Sequence, residues 1–207
     1  MVKLNTISKL LIGAMIYEIV LKILLLVFPS LAGIAGVKWL IIILKFCVGV
    51  IMLLYTYRLY QNESGNSSIR IILQLLLVVI ALNVVIRLPM IRSQLDLTIS
   101  RLIENALSLG ISLLILILFI LLYQIAGNYQ RKYRIAVLGM IVIFCLNSLL
   151  GAMKLVQFLQ FLSRDETIEP TQYFMEGVMI NFALTRIVVI NFTYQYNKRS
   201  HSSRVGI

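Results

Sequence analysis

The stretch Ile111-Ser112-Leu113-Leu114-Ile115-Leu116-Ile117-Leu118-Phe119-Ile120-Leu121-Leu122 is apolar around the whole circumference of a helix, with Ser112 its single polar residue. A helix at a water interface keeps one polar face, so a segment apolar on every side belongs in a protein interior or in a membrane. Extended to 106–126, the block carries no charged residue. It also has the roughly 20 residues that a helix needs to cross about 30 Å of hydrocarbon.

Five further blocks of this length flank it, at about 7–28, 37–60, 69–91, 135–162 and 171–196. Pro29, the polar run Gln61-Asn62-Glu63-Ser64-Gly65-Asn66, the basic run Arg131-Lys132-Tyr133-Arg134 and Pro170 separate them. Over 207 residues, 60% are apolar and 13% charged, with a mean hydropathy of +0.96. Soluble domains run near 45–50% and about 25%. A soluble globular protein, a disordered chain and a large extramembrane domain are all excluded. Helices are the only spans that satisfy their own backbone, and no ten-residue alternation suggests a barrel.

The expected fold is therefore all-α: a polytopic membrane protein of six transmembrane helices in one bundle over 1–207. Residues 197–207 form a polar, basic cytoplasmic tail. The first block is read as a span and not as a cleaved signal peptide, being too long and containing Glu18 and Lys22. In length and span number the chain is similar to the six-helix substrate-binding components of energy-coupling vitamin transporters, a likeness of size that no motif carries.

Orientation follows from the basic residues at the span ends. Lys3, Lys9, Arg58, Arg70, Arg131, Lys132, Arg134, Lys198, Arg199 and Arg204 lie on one side, and Lys38, Arg92, Arg101 and Arg164 on the other. Ten against four places both termini in the cytoplasm of a cell (plasma or inner) membrane. Tyr57, Tyr60, Tyr123, Tyr129, Tyr194 and Tyr196 then fall at the cytoplasmic interface as an aromatic belt.

From Ser93, the residues Leu95, Ile99, Leu102, Ile103 and Ala106 make one helical stripe. Ser93 and Asp96 offer a capping-box start. This segment reads as a short amphipathic helix on the outer face between spans three and four, or as an extension of span four. The pairs 5–62, 69–128 and 134–197 resemble one another in length and in their closing Tyr and Asn, as six-span proteins with aromatic belts do. Span four, being apolar all round, is expected at the lipid-facing edge of the bundle.

Charges inside the spans carry most of the functional information. Each costs roughly 2.5–3.5 kcal/mol at a helix centre on insertion scales. Seven are present: Glu18, Lys22, Lys45, Arg87, Lys154, Glu176 and Arg186. At about 1.5 Å per residue, Lys22 lies roughly 9 Å below the outer surface, Lys45 and Lys154 roughly 12 Å, and Arg87 and Glu176 roughly 6 Å. Glu18 and Arg186 come near the midplane. None is deep in the cytoplasmic half.

Buried charges face one another or a wet cavity. The set therefore describes a vestibule, open outward, closed below by apolar packing, and electropositive by three. Pairing of Glu18 with Lys22 one turn away, and of Glu176 with Lys154 or Arg87, would account for part of it. Arg186 would hold an open backbone carbonyl. The surplus remains.

Enzyme chemistry finds little footing. No histidine lies in a span, His201 being in the tail, so neither a haem nor a zinc site is expected. Glu18 and Glu176 sit at different depths, and no nucleotide-binding fingerprint suggests an ATPase. Cys47 and Cys145 have no neighbours at metal or redox spacing and read as packing residues. The net charge of +11 lies mainly at span ends, where it orients the protein, and nucleic acid is not an expected partner.

Two functions fit. One is a binding or transport protein for a small anionic solute or anionic lipid headgroup, with Lys22, Lys45, Arg87, Lys154, Arg186, Glu18 and Glu176 as its site. The other is a non-catalytic subunit, assembly factor or immunity-type protein whose charges pair with a partner membrane subunit. A cavity enclosed by this chain's own helices favours the first, and a charged stripe on the outer face the second.

The ten-to-four count gives a direct prediction. Single cysteines at Ser67 and Ser203 should resist a membrane-impermeant thiol reagent in intact cells, and one at Thr167 should react. Labelling at Ser203 but not at Thr167 reverses the orientation.

Overall fold

In a computed structural model, the described residues are 4–28, 30, 34–63, 65–86, 88, 97–125, 131–164 and 172–202. They form six helices and no strand. The helices are α1 (Leu4–Val27), α2 (Ala35–Asn62), α3 (Ser67–Ile86), α4 (Leu97–Ile125), α5 (Arg131–Arg164) and α6 (Gln172–Ser202). Four contain stretches long and apolar enough to cross a membrane: Trp39–Asn62, Ser67–Ile86, Thr98–Ile125 and Arg131–Gln160. These support a multi-pass membrane protein.

Each helix packs antiparallel against its neighbour in the chain, and α6 returns to pack against α1. The result is a closed ring of six, built from three consecutive hairpins. Local sequence sets the turns. Asn66 caps α3, its side-chain oxygen accepting the Ile69 amide at 3.2 Å. The Glu63 amide closes α2 on the Leu59 carbonyl at 2.9 Å.

Inside and outside are both apolar at one end of the ring. On α3, Ile69, Leu73, Leu76 and Ile80 are buried while Ile71, Leu75, Val78, Leu82 and Val85 are exposed. The two sets are opposite stripes at helical spacing. A water-soluble bundle would make the second stripe polar, whereas here it suits lipid. The buried stripes of all six helices meet where α1, α3 and α5 begin and α2, α4 and α6 end. Phe192 sits among them, 2% exposed, edge-on to Phe119 at 4.6 Å and tilted against Tyr133 and Tyr196. This end is plugged by apolar packing.

Several expectations change. Helix α4 is no edge element: Ile115, Leu118, Phe119 and Leu122 are buried between α3 and α5, and only its other face is exposed. A uniformly apolar helix gives no sign of which side is inward, because in a closed ring every helix has one lipid side. Residues 93–96 lie outside the described set, and from Leu97 the chain runs without a break into α4, so the described part of the stripe extends that helix. Its Ser100 is buried and Glu104 half-buried. Cys47 and Cys145 are exposed on the ring's outside and pack no core. The basic tail is helical as far as Ser202.

Of the tyrosine belt, Tyr57 and Tyr194 are exposed. Tyr60 lies under Arg70 and Tyr123 under Arg134, at 4.8 and 4.9 Å. Tyr196 is the exception: it is buried and donates to Glu63 Oε1 at 2.8 Å, tying α6 to the end of α2. Beside it, Ser8 Oγ donates to Asn197 Oδ1 at 3.0 Å. Tyr129 lies outside the described residues.

Two glycines set helix spacing. A Cβ on Gly49 of α2 would stand 2.9 Å from Val84 Cγ2 of α3, and one on Gly151 of α5 would stand 3.3 Å from Leu109 Cδ1 of α4. Gly13 has open space around it. Gly49→Leu should therefore destabilise the detergent-solubilised protein by about 1–3 kcal/mol, the usual cost of overpacking. Gly13→Ala should be neutral or gain up to about 1 kcal/mol of helix propensity. Thermal unfolding of both variants checks this, and equal effects would contradict the close α2–α3 approach.

Candidate functional site

The polar half of the ring encloses a cavity of about 320 Å³ to which all six helices contribute. Its floor is the apolar plug, through Met15, Met52, Ile80, Ile115, Phe144 and Val189. Above the floor stand Glu18 of α1, Lys45 of α2, Asn83 of α3, Ser108 and Ser112 of α4, Asn147 and Lys154 of α5, and Asn181, Thr185 and Arg186 of α6. The polar residues thus occur within about three turns beyond the last buried apolar residue of each helix. The cavity has charged walls because each helix switches inward character at the same level.

Glu18 and Arg186 join α1 to α6 across the seam that closes the ring. Arg186 Nε donates to Glu18 Oε2 at 2.8 Å, with the two side chains 20% and 8% exposed. Sequence reasoning gave Glu18 to Lys22 and Arg186 to a backbone carbonyl. The fold gives them to each other, because α6 returns beside α1, a contact between residues 168 apart that no local spacing signals. Lys22 instead places its ammonium 3.3 Å from the centre of the Phe182 ring. Arg186 lies over the same ring at 4.4 Å, so Phe182 bears two cations.

Lys45 and Lys154 face the cavity from α2 and α5. Their charges, with those of Glu18 and Arg186, are near enough to act on Lys22. Among the described residues neither lysine forms a salt bridge, and Glu18 is the one carboxylate lining the cavity. Of the seven charges picked from sequence, Glu18, Lys45, Lys154 and Arg186 are brought together, with Lys22 beside them. Arg87 lies outside the described residues, and so does the side chain of Glu176.

Sequence reasoning missed the neutral polar wall. Asn181 Nδ2 donates to Asn147 Oδ1 at 2.6 Å, Asn147 Nδ2 donates to Thr185 Oγ1 at 3.0 Å, and Thr185 Oγ1 donates to the Asn181 carbonyl at 2.7 Å. This closed cycle pins α5 to α6. Ser112 Oγ is turned back on the Ser108 carbonyl at 3.0 Å. Asn83 Oδ1 is buried at the cavity and has no hydrogen-bond partner among the described residues. Amides within apolar blocks were the available signal, since each polar group in a span needs a partner or water.

Among the described residues no three His, Cys, Asp or Glu side chains gather as metal ligands. What the site offers is ammonium groups, one neutralised guanidinium and a set of amides and hydroxyls. No protein-family model matches this chain, and neither the curated proteins nor the solved structures contain a match to it.

Breaking a buried ion pair by removing one partner costs roughly 3–5 kcal/mol. Glu18→Gln and Arg186→Gln should each lower thermal stability in detergent on that scale. The double variant should lose clearly less than the two losses added, because no unpaired charge is left behind. Additive losses would place the two side chains apart.

Proposed function

We propose that this chain is a six-span protein of the cell membrane, both termini in the cytoplasm, that binds or transports a small anionic solute or an anionic lipid headgroup in the ring cavity. The reading of α1 and α6 as spans rests on their outward faces. Ile16, Tyr17, Val20, Ile23 and Leu24 of α1 and Leu184 and Ile187 of α6 are exposed and apolar, while Glu18 and Arg186 turn inward. Their outward faces are apolar like those of the other four.

One observation carries the functional reading: Lys45 and Lys154 face a cavity enclosed by this chain's own helices, whose one described carboxylate is already held by Arg186. Two like charges near the membrane interior, with no described counter-charge, favour an anion between them. Glu18, Lys45, Lys154 and Arg186 line the cavity, which favours a site within this chain over a charged stripe for a partner subunit. The apolar plug supports a site open on the outer side and closed on the other. The protein's part is recognition, and nothing in the site suggests a bond-making step.

The test is thermal stability of the wild type, Lys45→Met and Lys154→Met with and without a panel of carboxylates, phosphates and anionic lipids. Some anion should stabilise the wild type. Each substitution should weaken that anion by about 1.5–3 kcal/mol, or roughly tenfold to 150-fold, and leave baseline stability in place. If no anion stabilises the wild type, or if both variants fail to fold, the charges are structural and pairing with a partner subunit replaces this reading.

A further inference from the structure

The cavity's charge is unevenly distributed. On the α1–α6 side Glu18, Lys22, Arg186 and the Phe182 ring engage one another. On the opposite side lies a smaller chamber of about 120 Å³ between α4, α5 and α6, room for several water-sized groups. Among the described residues Lys154 is its one charged group, and the polar side chains around it are Asn105, Ser108, Ser112, Asn147 and Asn181. Gly151, one turn before Lys154, is what lets α5 approach α4 closely enough to bring these residues together.

The hydrogen-bond cycle fixes what the chamber has left to give. Asn147 and Asn181 each spend one amide proton and keep another, so they present donors beside the Lys154 ammonium. Asn181 Oδ1 accepts no hydrogen bond among the described residues and Ser112 Oγ has spent its proton on the Ser108 carbonyl, so both present acceptors. Asn83 Oδ1, on the neighbouring wall of the main cavity, adds a buried acceptor with no partner among the described residues. A bare carboxylate only accepts hydrogen bonds: it satisfies the ammonium and the amide protons and leaves every acceptor unmatched, and a hydrogen phosphate brings at most two protons for the three acceptors.

We propose that the ligand is a polyhydroxylated oxyanion, a phosphate ester of a polyol or a hydroxycarboxylate. Its anionic group is seated by Lys154 and the Asn147 and Asn181 amides, and its hydroxyls donate to Asn181, Ser112 and Asn83. This rests on the anion-binding reading above and adds the chemical class of the ligand. The same chemistry is found in a free polyol phosphate and in the headgroup of a glycerol-bearing anionic lipid.

The experiment compares matched probes by thermal shift and by calorimetry on the full chain in phosphatidylcholine nanodiscs. Acetate is set against gluconate, and inorganic phosphate against glycerol 3-phosphate. Nanodiscs containing phosphatidylglycerol are set against nanodiscs containing phosphatidic acid. The hydroxylated member of at least one pair should bind about tenfold more tightly or better, the worth of one or two added hydrogen bonds. A preference in the soluble pairs identifies a free solute, and one confined to the lipid pair a headgroup; either supports the proposal. Ser112→Ala and Asn83→Ala, which leave the amide cycle untouched, should narrow the preference by removing acceptors that the hydroxyls use.

If acetate and phosphate bind as tightly as their hydroxylated counterparts and Lys154→Met abolishes both, the anion site stands and the polyol proposal falls. If binding is indifferent to Lys154→Met, the chamber is not the seat. If no probe binds at all, the anion-binding reading falls with it.

Discussion

The contact between Arg186 Nε and Glu18 Oε2, at 2.8 Å, joins the last helix to the first. With α1 and α6 as spans, as proposed, an arginine and a glutamate at their middle are each costly in hydrocarbon and are tolerable together when turned away from lipid. That requirement fixes the rotation of α1 and α6, and with it which of their faces look outward. Once α1 and α6 are locked, the three hairpins close into a ring and the inner faces of α2 to α5 are set by packing against their neighbours. Closure removes any need for an edge helix. It also creates a common interior that no helix pair would have alone.

That interior is divided by level. Toward one end, bulky apolar residues from all six helices meet around Phe192 and fill the ring. Toward the other, the same helices turn Lys45, Lys154, Asn83, Asn147, Asn181 and Thr185 inward, and the ring stays open around 320 Å³. Polar residues hold water or a ligand in place, whereas facing leucines and phenylalanines would collapse onto each other. A one-ended polar cavity in a membrane protein suits recognition from one side. It provides no through-path while the Phe192 cluster stays packed.

Much of the architecture was legible in the sequence. Block length and total apolarity gave a helical membrane protein, and the depth of the charges put them in one half of the bundle with apolar residues beneath. Pairing was not legible. Glu18 has Lys22 one turn away, a neighbour visible to any helical spacing rule, yet its carboxylate is taken by Arg186 from the far end of the chain. The place of α4 escaped as well, because a helix apolar all round carries no marker of its buried side. Cys47 and Cys145 looked like packing residues only because lipid-facing and core-facing positions have the same composition. The amide wall of Asn147, Asn181 and Asn83 carries no charge to mark it in the sequence, although an uncharged amide among apolar helices needs a partner just as surely.

Whether Lys154, with Lys45 across the cavity, draws an anion into the ring is tested most directly by an experimental structure of the nanodisc-embedded protein in an electron-dense anion such as tungstate or bromide. Anion density is expected inside the ring, within contact of Lys154 and on its Lys45 side, above the Phe192 cluster. Density only at the surface arginines and lysines of the opposite end, with Lys45 and Lys154 turned apart or onto carboxylates, would contradict it.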